Sequence, residues 1–233
     1  MEKTKIEWCD STWNPVTGCK HGCEYCYARS IAHRFDGTKM YPNGFEPMFW
    51  ASRLGIPGKW KEPKNIFVCS MADLFGSWVP DGWIKTIFEI CRRTDRHNYL
   101  FLTKNPERFS ELVRKGAILP SDRNFWFGTT AVNDAQPVFI GGYSLHTFLS
   151  IEPIMGPFDT DKVNFRYFEW VIIGAETGRR KGKVIPEREW IEQVCSIADR
   201  DGAKVFMKDS LVPIVGEENM RRELPDSLRR HDA

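Results

Sequence analysis

The chain has 233 residues, 42% of them hydrophobic and 27% charged, a composition that excludes a disordered polypeptide and leaves enough chain to bury a sizeable core. Its 33 basic and 31 acidic residues give a formal charge of +2, so no global field marks it as a binder of nucleic acid or anionic membrane. Seven cysteines cannot all pair within one chain, no apolar run approaches the roughly 18 residues of a membrane helix, and residues 1–7 lack the apolar core of a signal peptide, so the expectation is a cytoplasmic protein with reduced thiols and no membrane partner.

The first strand is predicted over Thr12-Trp-Asn-Pro-Val-Thr-Gly18, despite its proline. A cysteine-bearing loop follows, then a helix from about Tyr27 to Phe35. Residues 36–64 are rich in Gly, Pro and Trp and have no clear period, so they read as a long insertion between the first and second units. Six short apolar runs come next, over 66–70, 99–103, 125–129, 147–151, 170–174 and 204–208. Most lack strict polar alternation, as expected of parallel strands buried on both faces. Helices are predicted over Asp81 to Arg93, Pro106 to Lys115 and Pro186 to Arg200, the first with Trp83, Ile84, Ile87, Phe88 and Cys91 as its apolar side. No linker or composition shift divides the chain, so one domain spanning 1–233 is expected.

Parallel β/α units either close into a barrel or lie in an open doubly wound sheet, and periodicity does not separate the two. In both, functional residues gather beyond the C-terminal ends of the strands. Those positions carry Asp73, Lys104, Thr129, Ser150, Glu152, Glu176 and Lys208. Glu152 stands out because it lies between apolar neighbours, where an unpaired carboxylate is costly.

The strongest feature is Gly18-Cys19-Lys-His-Gly-Cys23-Glu-Tyr-Cys26, three cysteines spaced C-x3-C-x2-C. Three soft thiolates in one loop point to a metal or cluster site. A zinc site needs a fourth ligand, for which His21, Cys9 and the distant Cys69 are candidates, with Cys9 the most credible. Cys69, Cys91 and Cys195 lie in apolar patterns and read as small buried hydrophobes. Trp8, Trp13, Trp50, Trp60 and Trp78 fall in loop-like contexts, where they pack against the protein or stack on a base. The densest basic run, Arg179 to Lys183, reads either as solvated loop charge or as a nucleic-acid contact.

The C-x3-C-x2-C motif with Tyr25 before its third cysteine resembles the signature of radical S-adenosylmethionine (SAM) enzymes. More narrowly, residues 12–19, 67–75, 101–108, 149–153 and 170–178 resemble an uncharacterised, phage-associated branch of radical-SAM-like proteins. The resemblance implies a partial (β/α)6-7 barrel of parallel strands with helices outside, an architecture that 233 residues accommodate. It also implies a 4Fe-4S cluster on Cys19, Cys23 and Cys26, cleavage of SAM to a 5′-deoxyadenosyl radical, and an external electron donor. Family positions make Asp73, Thr129, Ser150, Glu152 and Glu176 candidate SAM contacts, with Lys104 and Lys208 opposite an anionic group. Where the family often has Gly-Gly-Glu, this chain has Met71-Ala72-Asp73, which opens the possibility of a member that keeps the cluster but does not cleave SAM. A nucleobase, nucleotide or nucleic acid is the expected substrate class. The rival expectation is a zinc-binding, non-catalytic nucleic-acid-binding protein.

Overall fold

The computed structural model describes residues 4–115, 122–138 and 145–229. The chain clusters into two compact units, Met1–Trp126 and Phe127–Ala233. The elements from the N-terminus are β1 (Ser11–Trp13), β2 (Val16–Thr17), α1 (Tyr27–Arg34), β3 (Met48–Phe49) and α2 (Ile56–Lys59). Next come β4 (Asn65–Val68), α3 (Asp81–Arg93), β5 (Asn98–Thr103), α4 (Glu107–Arg114) and β6 (Phe125–Thr130). The remainder holds β7 (His146–Ile151), β8 (Trp170–Ile173), α5 (Arg188–Asp201), β9 (Lys204–Met207) and α6 (Val212–Val215).

Seven strands are ordered β1-β4-β5-β6-β7-β8-β9 in one sheet. In the first unit β1 pairs with β4 and β4 with β5, both parallel; in the second, β7 pairs with β8 and β8 with β9, also parallel. Each strand is added beside its predecessor with no reversal of order, so the fold lacks the switch point of a doubly wound sheet. This singly wound order is that of the partial-barrel α/β class expected from the sequence.

The first strand differs from its prediction. Proline cannot donate to a ladder, and Asn14-Pro15 divides the stretch into β1 and the two-residue β2, which leaves the main sheet to pair antiparallel with β3 from the insertion. Pro106 caps α4 and Pro186 lies outside α5, so neither opens its helix as predicted.

Aromatic rings fill the first unit. Phe75, Phe88, Phe101 and Phe125 are buried, and Phe75 lies 6.3, 6.0 and 4.5 Å from the rings of Phe88, Phe101 and Phe109. Helix α3 presents Ile84, Ile87, Phe88 and Cys91 to this core, the i, i+3, i+4, i+7 stripe of an amphipathic helix. In the second unit Leu149, Ile151, Val171, Ile173 and Val205 from strands meet Ile191, Val194 and Ile197 of α5, with Phe158, Phe165 and Phe168 in the same cluster.

His97 is fully buried, its Nε2 donates to the Pro57 carbonyl at 3.0 Å, and its Nδ1 has no partner among the described residues. Burial holds its pKa below the ordinary histidine value. The unfolded chain then binds the proton more readily, so His97's contribution to stability is complete above about pH 6.5 and is lost as pH falls through the folded pKa. Urea midpoints are expected to drop between pH 7 and pH 5, with a shallower slope in His97→Gln; equal slopes would contradict the assignment.

Candidate metal centre and strand-end sites

The cysteine loop is anchored on three sides. The Asn14 side-chain oxygen, one residue beyond β1, accepts from Met71 N at 2.9 Å and Ser70 Oγ at 3.2 Å, while Arg53 donates to the Asn14 carbonyl at 3.0 Å. Gly18 N then donates to Met71 O at 2.9 Å and Cys19 N to Phe45 O at 3.1 Å. The insertion therefore holds the start of the loop through backbone bonds, and Trp50 adds a 2.8 Å bond to Thr17 Oγ1.

Gly18 is required by this geometry. Its φ is +89°, and a Cβ would lie 2.2 Å from the Glu46 carbonyl oxygen. Gly18→Ala is expected to destabilise the chain by about 1–3 kcal/mol from backbone strain, with further loss from the collision. A urea midpoint equal to wild type would contradict this.

Cys19, Cys23 and Cys26 are free thiols of intermediate exposure. Cys26 caps α1, its sulfur accepting from Arg29 N at 3.4 Å. Burial pushes the Cys19 thiol up to about 11, with Asp73, Cys26 and Cys23 adding negative charge nearby; iron would relieve that accumulation of charge. Among the described residues no group of three or more His, Cys, Asp or Glu is disposed to hold a single metal ion.

The three extra ligands considered for zinc are placed elsewhere or engaged. Cys9 is buried beside Asp10, whose N donates to Asn65 O at 2.9 Å at the N-terminal end of β4, whereas Gly18 bridges to Ala72 past that strand's C-terminal end. Cys69 is buried in a left-handed conformation, φ +61°, with its thiol pushed up to about 12 by burial. His21 Nε2 lies 2.7 Å from Asp73 Oδ2, and its ring meets Trp78 edge-on at 4.9 Å.

Asp73 is buried and surrounded by donors. Besides His21, Oδ1 accepts from Phe75 N at 2.9 Å and Thr103 Oγ1 at 2.7 Å, and Oδ2 accepts from Lys104 N at 2.9 Å. Lys104 Nζ reaches over the Tyr25 ring at 5.8 Å, and Tyr27 OH donates to Ser70 O at 2.6 Å. The polar run after β5 is used throughout: Asn105 Nδ2 donates to Phe75 O at 2.9 Å, and buried Arg108 bonds Val79 O and pairs with Asp81 and Glu111.

The remaining site candidates lie in the second unit. Thr129 and Ser150 are buried near the C-terminal ends of β6 and β7, within the apolar runs expected as strands. Glu152, just beyond β7, is ion-paired with Lys208, just beyond β9. A Cβ on Gly174 would approach Lys208 Cδ at 3.1 Å and Glu152 Cγ at 3.3 Å, so glycine there makes room for the pair. Glu176 is buried and held by Arg180 through two bonds of 2.6 and 2.7 Å, which keep its carboxyl below the usual carboxylate range. Of the basic run, Arg179, Lys181 and Lys183 remain exposed. Trp8, Trp13 and Trp60 are buried and serve packing rather than base stacking.

Sequence reasoning missed Asn14 and the His21–Asp73 link. A polar residue between an apolar strand and a proline was the available signal for Asn14; nothing local announces the second. No helix among the described residues is long and apolar enough to cross a membrane.

No curated protein matches the sequence. Among solved structures, a spore photoproduct lyase mutant with a dinucleoside spore photoproduct aligns with a TM-score of 0.46 and 14% identity, covering 98% of this chain and 68% of that one. A likeness at this level carries no argument about the chemistry here. The family model described as "Protein of unknown function (DUF5131)" matches residues 3–216. Because that stretch contains the cysteine loop, Asp73 with its donors and the nine strands of the described residues, the chain belongs to this family.

Proposed function

We propose that this chain is a radical SAM enzyme whose Cys19, Cys23 and Cys26 hold a 4Fe-4S cluster. The observation that carries the reading is the set of three free, partly exposed thiols spaced C-x3-C-x2-C in one loop following the first strand of a singly wound parallel sheet. When bound, the cluster supplies the electron for reductive SAM cleavage, and an external donor supplies that electron to the cluster. The chain's part is to present the three cysteine sulfurs, with Arg29 N donating to Cys26 Sγ at 3.4 Å, and to position SAM. Thr129, Ser150 and Glu152 are the SAM contacts we propose from their strand positions, with Glu176 as a further candidate already paired with Arg180; the Asp73 carboxylate is taken up by protein donors. The exposed Arg179, Lys181 and Lys183 suit a nucleotide or nucleic-acid substrate.

Anaerobic loading with ferrous iron and sulfide is expected to give broad absorption near about 400 nm, and SAM is expected to perturb the reduced cluster's electron paramagnetic resonance spectrum. Stoichiometric zinc with no cluster uptake would overturn the assignment in favour of a zinc-binding, non-catalytic protein. A second reading, a member that retains the cluster without cleaving SAM, is favoured by the replacement of Gly-Gly-Glu with Met71-Ala72-Asp73 and the saturation of Asp73 by protein donors. An intact, reduced cluster that releases no 5′-deoxyadenosine would select it.

A further inference from the structure

We infer that Asp73 is a positioning residue, the centre of a clamp by which the end of β5 preassembles the cysteine loop, and that a bound small molecule is not its partner. Each gap in the motif carries one gripped residue. Between Cys19 and Cys23, His21 bonds Asp73 at 2.7 Å. Between Cys23 and Cys26, the Tyr25 ring lies under Lys104 Nζ at 5.8 Å. Immediately after Cys26, Tyr27 OH bonds Ser70 O at 2.6 Å. The first two grips converge on Thr103-Lys104, because Thr103 Oγ1 and Lys104 N donate to the same Asp73 carboxylate at 2.7 and 2.9 Å.

A carboxylate has about four lone-pair sites. Those of Asp73 receive four donors, Phe75 N, the Thr103 hydroxyl, Lys104 N and the His21 ring, inside a buried pocket. Displacing one of these donors to admit a ligand would leave a buried group unpaired, which is costly. A flexible eight-residue loop would instead lose conformational entropy when three sulfurs are brought onto one cluster, and the clamp removes that loss before metal arrives.

The inference rests on the cluster reading for its purpose, and its test separates the two. Hydrogen exchange of the metal-free chain compares wild type with His21→Asn, Asp73→Asn and Thr103→Val. Peptides covering 19–26 are expected to lose protection about tenfold in all three, while α3 of the same unit and β8 of the other exchange at wild-type rates and so report that each unit is folded. The same proteins, loaded with ferrous iron and sulfide, are expected to lose cluster absorption to an iron chelator several times faster than wild type. Wild-type protection at 19–26 in the three folded variants would overturn the clamp. If Asp73→Asn fails to fold, His21→Asn and Thr103→Val carry the test alone. If Asp73→Asn weakens the spectroscopic response to SAM while His21→Asn and Thr103→Val do not, Asp73 is a ligand and the inference fails. Protection lost in the variants with no iron uptake by wild type would uphold the clamp and overturn the cluster reading.

Discussion

Cys23→Ala is expected to abolish the intact cluster, whereas Cys195→Ala leaves its iron content at the wild-type level. Cys23 is a partly exposed thiol in the middle of the three-cysteine loop, and two thiolates do not hold three irons of a cubane. Cys195 lies in α5, part-buried against the hydrophobic core of the second unit, where burial pushes its thiol up to about 11. It is therefore a packing group, and truncation costs about 1 kcal/mol of stability with no ligand lost. Iron and sulfide per chain after anaerobic loading check both halves of the expectation. Equal cluster content in the two variants would contradict the ligand assignment.

Phe75→Ala is expected to lower stability by about 3–5 kcal/mol, the cost of removing a fully buried phenyl and leaving a cavity. The melting temperature should fall by roughly 10 °C or more. The location makes the effect functional as well as structural. Phe75 lies two residues after Asp73, donates its own N–H to Asp73 Oδ1 at 2.9 Å, and accepts at its carbonyl from Asn105 Nδ2 at 2.9 Å. Its ring contacts Phe88, Phe101 and Phe109 and so fixes the loop after β4 to α3, β5 and α4. Loosening it releases the carboxylate that holds His21. A urea midpoint close to wild type would show that the ring is replaceable and that the loop is held by polar bonds alone.

The strands were legible because they are short apolar runs buried on both faces: all six residues of β6 and all four of β4 and β8 are buried. Helix α3 was legible for the complementary reason, its apolar residues recurring with the helical period. The order of the strands was not, since periodicity carries no record of which neighbour a strand pairs with. The division of the first strand at Asn14-Pro15 was signalled by the proline yet depended on β3, a partner more than 30 residues away.

The candidate site divides in the same way. Three cysteines in eight residues form a local pattern, visible without a structure. The grips on them are non-local and largely backbone-mediated: Gly18 to Met71, Cys19 to Phe45, Lys104 N to Asp73. Backbone donors leave no residue signature, so the insertion over 36–64 reads as a structureless excursion although it holds the loop from one side. The segments 67–75 and 101–108 share a physical reason for standing together, since Asp73 and Phe75 of one bond Thr103, Lys104 and Asn105 of the other. Glu152, singled out as a carboxylate costly to leave unpaired among apolar neighbours, is met by Lys208, a partner 56 residues away that sequence alone did not assign to it.

The most direct measurement of the central claim is release of 5′-deoxyadenosine from SAM by the reduced, cluster-loaded chain, assayed anaerobically with and without DNA and RNA. The account predicts 5′-deoxyadenosine from wild type, none from Cys23→Ala, and a faster yield when a nucleic acid that serves as substrate is present. A chain that binds zinc stoichiometrically, takes up no iron and leaves SAM intact would contradict it.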